Sequence, residues 1–240
     1  MKIIADLHTH TIASEHAYST IHENTLYAAK TGIKYLGMTD HGPEMLGAPS
    51  EYYFGNLSVL PDYINGVRIL RGIEANIRND GSVDLPDTRL KMLDFAAAGI
   101  HPENGYTNSS CDENTNAIIK VIENKYIKMI THPDNPRFPV DYKKIAEAAF
   151  QNNVIIELNA GSYDKFKKGK RGVTEESVKM IKEIAKRGGY ISLNSDAHFY
   201  TLIGDIEELI KIIEIADFPE ELIINTEKNE EKFKKFFNII

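Results

Sequence analysis

The N-terminal stretch KIIADLHTH, residues 2–10, carries the clearest indication of the fold. An apolar, β-branched run passes into alternating polar residues, which is typical of a buried strand that ends at a polar site. Because side chains alternate along a strand, His8 and His10 point to the same side, with Asp6 one step deeper. The pattern predicts a first strand at 2–8 whose end presents two imidazoles to one site.

Six further segments have a similar strand-like character, and amphipathic helical patterns separate most of them. We predict strands at 2–8, 35–39, 67–74, 95–100, 126–131, 154–158 and 190–193. The clearest helices are predicted at 114–124, 141–152, 175–187 and 205–216. A capping box from Thr20 to Glu23 opens an earlier helix, and Gly188 and Gly189 end the one at 175–187.

The repeated order of strand and helix predicts the fold class. Alternating units imply a parallel sheet, and seven or eight of them most naturally close into an α/β barrel. A doubly wound open sheet is the alternative. The segment 42–66 joins the second and third strands and is long for a connection in a compact domain. It is expected to be either a lid or a short surface helix with turns.

Length and composition limit the remaining possibilities. The 240 residues, with 42% hydrophobic and 26% charged side chains, predict one globular domain over residues 1–240. The apolar run at the N-terminus is too short for a signal peptide, and no apolar stretch approaches membrane-spanning length, so a cytoplasmic protein is expected.

Charge and cysteine content indicate which partners and metals are possible. The formal net charge of −7 makes nucleic acid an unlikely partner and argues against anionic membranes. Cys111 is the only cysteine, so an intrachain disulfide and a thiolate-rich metal site are both excluded. Any metal ion must be bound by histidines and carboxylates.

Histidine is the residue type that marks the functional site. The chain has eight histidines, and seven fall at or after the end of a predicted strand: His8, His10, His16, His41, His101, His132 and His198. Only His22 belongs to a helix. One histidine at a strand end is more often an ordinary polar residue than a ligand. The C-terminal ends of parallel barrel strands open onto one face, however, so seven such residues predict a shared metal site.

Two carboxylates complete the predicted site. Asp196 stands two residues before His198, so both can clasp one ion if the strand continues so far. Glu74 ends the third predicted strand, where it could also be an ordinary polar residue. Imidazole and carboxylate ligands without thiolate suit zinc, manganese or iron. Asp6 and Asp40 are expected to accept the far ring N–H of ligand histidines.

The order of these residues resembles the PHP (polymerase and histidinol phosphatase) superfamily, and most closely its YcdX-type phosphatase branch. The matching motifs cover essentially the whole chain: Asp6-Leu7-His8-Thr9-His10, His16, Thr39-Asp40-His41, Gly72-Ile73-Glu74, His101, Thr131-His132-Pro133 and Ser195-Asp196-Ala197-His198. The resemblance implies a distorted (β/α)7 TIM-like barrel, in which the apolar run 222–224 is not an eighth strand. It also suggests a homo-oligomer, namely a trimer.

The resemblance further implies three divalent ions, zinc first and manganese or iron as alternatives. Carried onto this chain, the first ligand set is His8, His10, Glu74 and Asp196, the second is Glu74, His101 and His132, and the third is His16, His41 and His198. Glu74 would bridge the first two ions.

Charge on such a trinuclear site predicts the reaction. Three divalent ions and two carboxylates, Glu74 and Asp196, leave a formal charge of about +4. This charge attracts phosphate and lowers the pKa of bound water to roughly 7, which makes a metal-bound hydroxide the expected nucleophile. Asp40 is a candidate for protonating the leaving alcohol. The expected reaction is hydrolysis of phosphate monoesters of a small molecule.

Several polar residues are candidates for contacts with the substrate. Asn159 ends the sixth predicted strand, and Arg137 and Arg78 could orient a phosphate. Arg171 closes the basic run 165–171, which could bind phosphate or be a solvated loop.

Three other functions stay open at this point. A nuclease or phosphodiesterase could use the same ions, although the acidic balance and the absence of Trp weaken a polynucleotide substrate. An amidohydrolase-type enzyme also begins with H-x-H but commonly bridges its metals with a modified lysine, and no lysine ends a predicted strand. A non-catalytic metal-binding module is the third alternative.

Overall fold

The computed structural model describes residues 1–163 and 173–239. Its strands are β1 Ala5–Thr9, β2 Tyr35–Met38, β3 Tyr63–Ile64, β4 Val67–Arg71, β5 Glu74–Asn76, β6 Ala96–Gly99, β7 Ile127–Ile130, β8 Ile155–Asn159 and β9 Ile191–Asn194. Its helices are α1 Ile21–Thr31, α2 Glu51–Asn56, α3 Asp87–Leu90, α4 Cys111–Ile122, α5 Tyr142–Asn152, α6 Val173–Ala185, α7 Glu207–Ala216 and α8 Glu230–Phe236.

Two sheets form the wall of a distorted barrel. One has the order β1-β2-β4-β3 and the other the order β5-β6-β7-β8-β9, and all pairs are parallel except β3 with β4. A bridge between His41 and Glu74 joins the two sheets, and a bridge between Thr9 and Ala197 joins β1 to the segment after β9. With β4 and β5 counted as one interrupted strand and the short antiparallel β3 left out, seven strands of the described chain surround the core, so the predicted (β/α)7 barrel is confirmed.

The predicted third strand, 67–74, is the main local departure from the sequence expectation. It divides into β4, which pairs with β2, and β5, which pairs with β6. The break falls at Gly72, where an added Cβ would lie 2.8 Å from the ring of Phe95 and 3.1 Å from Thr39 Cγ2. The bare backbone at Gly72 therefore lets these side chains pack closely where the chain passes from one sheet to the other.

The predicted helices are confirmed, with bounds shifted by a few residues. Thr20 caps α1 through the predicted capping box with Glu23, and Gly188, in the left-handed region at φ 70°, follows α6. The short elements β3, α3 and α8 have no counterpart in the prediction, because two to seven residues are too few to establish a periodic pattern.

The segment 42–66 contains helix α2 and turns, so the surface-helix alternative is confirmed. Gly47 adopts φ 80°, which favours glycine, in the turn before this helix. Tyr53 in α2 donates a hydrogen bond from its hydroxyl to Asp40 Oδ2 at 2.7 Å. This bond ties the segment to the barrel.

The apolar run 222–224 does not form a regular eighth strand. Ile223 makes an isolated bridge with Ile191, and the backbone of Asn225 accepts a bond from Ile4 N at 2.9 Å. The buried amide of Asn225 accepts from Leu193 N at 3.1 Å and donates to Leu193 O at 2.7 Å and to Ala5 O at 2.8 Å. One side chain thus links β1 to β9.

No helix within residues 1–163 and 173–239 combines the length and apolar character needed to span a bilayer.

Replacing Asn225 with alanine is expected to destabilise the barrel. The substitution leaves one backbone N–H and two carbonyls without their buried partner, and the expected loss in free energy of unfolding is about 3 kcal/mol. Urea unfolding measures this loss. The control is Asn152→Ala, whose exposed amide bonds only to Ala148 O, and its expected change is below about 0.5 kcal/mol. Equal stability of the two variants would contradict the linking role.

Candidate metal centre

The structure brings the nine sequence-predicted ligands together at the C-terminal end of the barrel. His8 lies in β1 and Glu74 opens β5, whereas the other seven lie on the loops that follow strands. Ring centroids of neighbouring imidazoles are close, for example 4.3 Å for His10 and His41 and 4.9 Å for His16 and His198. His22 is exposed on α1, where it contacts Asn65.

Glu74 lies at the centre of this cluster and is completely buried. Its Oε1 lies 2.9 Å from His132 Nε2 and 3.2 Å from His101 Nε2. Its Oε2 faces the other way and lies 2.9 Å from His41 Nδ1 and 3.2 Å from His8 Nε2. The two oxygens therefore face two different groups of imidazoles, as a bridging carboxylate would.

Charges in the cluster keep the carboxylates ionised. Burial disfavours the charge on Glu74, yet neighbouring imidazoles, His8 first among them, hold its pKa well below the ordinary value. Asp196 behaves in the same way, with His8 and His10 outweighing burial. Burial and the nearby rings of His41 and His198 hold the pKa of His10 well below its ordinary value. Ionised carboxylates and a neutral imidazole are the forms that bind metal ions.

Four buried ligand atoms in the cluster make no hydrogen bond of suitable geometry, although the three nitrogens lie 2.9 to 3.6 Å from the carboxylate oxygen: His8 Nε2, His10 Nε2, His41 Nδ1 and Glu74 Oε2. Unpaired buried polar atoms are costly and rare, so four that converge in one place require an explanation. Donors of three residues lie within 4.8 Å of one another in each of three overlapping groups: His10, His41 and His198; His8, His10 and Glu74; His41, Glu74 and His101. The residues present therefore fit divalent metal ions.

The far sides of two imidazoles are held by buried polar groups. His8 Nδ1 lies 2.7 Å from Glu157 Oε1, and His101 Nδ1 lies 2.8 Å from Asn76 Oδ1. Asn76 is fixed in turn by Asp84, which accepts from its side-chain amide at 2.6 Å. Such contacts set the ring orientation and the tautomer of a ligand histidine.

The expected roles of Asp6 and Asp40 require correction. Asp6 accepts hydrogen bonds from the backbone N–H groups of His8, Ser195 and Gly204, and it contacts no imidazole. It fixes loop backbone because its side chain lies below the level of the rings.

Asp40 reaches the cluster only indirectly. It accepts from Ser14 Oγ at 2.7 Å, and Ser14 Oγ lies 3.3 Å from His10 Nδ1. Asp40 also accepts from Thr11 N, from Thr11 Oγ1 and from the Tyr53 hydroxyl. Only 1% of this residue is exposed, so the geometry does not support protonation of a leaving group by Asp40.

Asn159 also departs from its predicted role. It is fully buried beneath the site, and its side-chain amide donates to Glu157 Oε2 at 3.0 Å and to Asp196 Oδ2 at 3.3 Å. Its Oδ1 accepts from Ser162 N at 3.1 Å. Both ends of the amide are engaged, so Asn159 positions other residues and does not contact substrate from the rim.

Sequence reasoning missed Glu157, as it missed Asn76 and Ser14. Glu157 lies in the middle of β8, where the surrounding Ile, Leu and Val residues indicate only a buried strand. A carboxylate in such a strand is rarely buried without a partner, and this was the available signal. Its position two residues before Asn159 places both side chains on the same side of β8.

The cluster opens into a cavity of about 1040 Å³, called the main cavity below. Tyr18, Met45 and Leu46 contribute to its lining, and Arg137 lies at its exposed edge. Arg78 does not line it, because its guanidinium is paired with Glu44 at 2.8 Å. The predicted basic run 165–171, including Arg171, lies outside the described residues.

A parallel barrel whose strand ends carry histidines and carboxylates defines a class of barrel hydrolases. The chain belongs to the PHP domain family, whose model matches residues 6–196. A probable phosphatase of Thermoanaerobacter sp. (strain X514) is 44% identical over 95% of this chain and 92% of its own length. A probable phosphatase of Caldanaerobacter subterraneus subsp. tengcongensis is 41% identical over 94% of this chain and 88% of its own. The protein is accordingly a phosphatase of this family.

Solved structures show the same fold at low sequence identity. Histidinol phosphate phosphatase from Lactococcus lactis, solved with zinc, L-histidinol and phosphate, is 15% identical with a TM-score of 0.61, covering 91% of this chain and 95% of that one. A chain of archaeal ribonuclease P bound to mature tRNA is 12% identical with a TM-score of 0.58, covering 98% and 90%. At these identities the likeness establishes the fold alone.

Placing a methyl group at Gly99 is expected to disturb the cluster. A Cβ there would be in steric conflict with Thr131 and would lie 2.8 Å from His132 Cε1 and 3.2 Å from His101 Cε1. Displacing these rings should lower kcat/KM for an aryl phosphate by about 100-fold. The matched control is Gly55→Ala in α2, where only the flexible end of Arg89 must move. Wild-type activity in Gly99→Ala would show that the ring positions are not critical.

Proposed function

We propose that this phosphatase hydrolyses phosphate monoesters of small molecules with three divalent ions, zinc first and manganese or iron as alternatives. The observation that carries the proposal is the convergence of three buried imidazole nitrogens, those of His8, His10 and His41, on Glu74 Oε2. Imidazole and carboxylate donors suit these metals, and the Lactococcus lactis enzyme of the same fold was solved with zinc.

The proposed ligand sets are His8, His10, Glu74 and Asp196 for the first ion, Glu74, His101 and His132 for the second, and His16, His41 and His198 for the third. Distances support the first set, since His10 Nε2 lies 3.1 Å and His8 Nε2 lies 3.5 Å from Asp196 Oδ1. In the second set, His101 Nε2 and His132 Nε2 are 3.3 Å apart and both face Glu74 Oε1. In the third, His41 Nε2 lies 3.2 Å from His16 Nε2.

The ligand residues leave the site electrostatically suited to phosphate. Divalent ions supply positive charge that activates water and stabilises the charge on a phosphoryl group. Glu74 and Asp196 neutralise only part of that charge, and neutral imidazoles neutralise none, which leaves about +4 for three ions. The residues therefore favour an anionic ester over a neutral amide.

The lining of the main cavity supports the proposal that the substrate carries a small organic group. Its described lining includes the apolar side chains of Met45, Leu46 and Ile100 and a single guanidinium, that of Arg137, beside the carboxylates of Glu15 and Glu103. Arg137 is exposed and would orient the substrate from the edge. One cation is far fewer than the extended basic surface that a polynucleotide requires.

Removing the bridging carboxylate tests the role of the ions. Glu74→Ala should abolish turnover, a loss of at least about 1000-fold, and lower the number of bound ions, because it removes a ligand from two sets. Metal analysis after saturation and dialysis measures the second effect. His22→Ala is the control and should change neither quantity, since His22 lies on the outer face of α1. Full activity and full metal content in Glu74→Ala would refute the bridging role.

A substrate panel separates the proposed reaction from its alternative. Phosphorylated metabolites and an aryl phosphate should be hydrolysed with a kcat/KM at least about tenfold above that for a diester or short oligonucleotide, because the described part of the cavity lining offers one cation, which cannot hold a long phosphate backbone. Parallel assays with the metal-saturated protein provide the measurement. A higher kcat/KM for the oligonucleotide would show that the protein is a nuclease and not a monoesterase.

A further inference from the structure

We infer that Glu157 is a positioning residue that couples two of the proposed ion sites, because its two oxygens hold one ligand from each. The inference rests on the proposed trinuclear function. It assigns to one buried side chain the orientation of His8, from the first ligand set, and of His132, from the second.

Glu157 is fully buried, and each of its oxygens accepts two hydrogen bonds. Oε1 lies 2.7 Å from His8 Nδ1 and accepts from the side-chain amide of Asn194 at 3.0 Å. Oε2 accepts from the backbone N–H of His132 at 2.9 Å and from the side-chain amide of Asn159 at 3.0 Å. An ionised carboxylate can only accept hydrogen bonds, and here four donors occupy its four acceptor positions.

The contact with His8 sets a tautomer. A carboxylate can only accept, so Nδ1 carries a proton, and in the neutral form of the ring that binds an ion the free lone pair lies on Nε2. His8 Nε2 is one of the unpartnered buried atoms and faces Glu74 and Asp196. Glu157 therefore presents this nitrogen to the ion in its binding form.

The contact with His132 holds an unusual backbone. His132 has φ 34°, a left-handed conformation that a side chain other than glycine rarely adopts without support. Its N–H donates to Glu157 Oε2, and this geometry carries the ring to within 2.9 Å of Glu74 Oε1. Loss of the acceptor would release the loop that positions this second ligand.

An amide at this position cannot serve both ligands. If the NH2 group of Glu157→Gln takes the place of Oε1, it donates to His8 Nδ1 and forces the proton onto Nε2, which blocks ion binding. If it takes the place of Oε2, it faces the N–H of His132 donor to donor. Either orientation disrupts one ligand, although the two side chains have nearly the same shape.

The experiment titrates wild type, Glu157→Gln and Asn225→Ala with Zn²⁺ against a chromophoric chelator, and records Co²⁺ absorption spectra. Glu157→Gln should bind at least one ion about 10- to 100-fold more weakly and show an altered Co²⁺ spectrum. Asn225 contacts no proposed metal ligand, so the Asn225→Ala variant should bind ions as the wild type does, although it is less stable. This control distinguishes positioning of ligands from a general loss of stability.

A measurement on the wild type alone tests the inference even if the Glu157→Gln variant fails to fold. Long-range ¹H–¹⁵N NMR of the zinc-loaded, histidine-labelled protein should show His8 protonated on Nδ1. Unchanged ion affinity in Glu157→Gln would overturn the inference while the proposed function stands. A proton on Nε2 would overturn the inference and would also remove His8 from the first ligand set. Wild-type protein that binds no ion would overturn the proposed function and this inference with it.

Discussion

Burial of one carboxylate at the end of a parallel barrel is the constraint on which the rest of the structure depends. Glu74 has no exposed surface, and an isolated charge there would be strongly destabilising. The fold resolves this by bringing imidazoles from several strand ends to both of its oxygens. The imidazoles that stabilise the buried charge of Glu74 are therefore also the groups that are proposed to hold ions.

A second layer of polar groups gives these donors their directions. His8, His10 and His101 each contact a buried residue on the far side of the ring, namely Glu157, Ser14 and Asn76. Ser14 and Asn76 are themselves held by Asp40 and Asp84. The orientation of the cluster is thus fixed by residues that do not line the main cavity, and substitution of such outer partners typically lowers metal affinity by about 10- to 100-fold.

The barrel and the convergence of the cluster were predictable from sequence, because both follow from simple geometry. Strand ends in a parallel barrel share one face, so His8, His132 and Asp196 had to approach one another. Hydrogen-bond partners between distant strands follow no such rule. Asp6 and Asp40 bond to backbone and hydroxyl groups, Asn159 lies beneath the site, and Glu157 was hidden within an apolar run. The break at Gly72 could not be predicted from the sequence either, since it depends on how the ring of Phe95 packs.

The interruption at Gly72 separates the part of the chain that holds Glu74 from the part that forms one wall of the main cavity. β4 takes its register from β2 and carries the helix-containing segment 42–66, whereas Glu74 takes its register from β6 in the other sheet. A change of length within residues 43–66 can therefore reshape the wall formed by Met45 and Leu46, while the pairing of Glu74 with β6 and its bridge to His41 stay in place. The position of Glu74 and the shape of this wall are therefore set by separate parts of the chain.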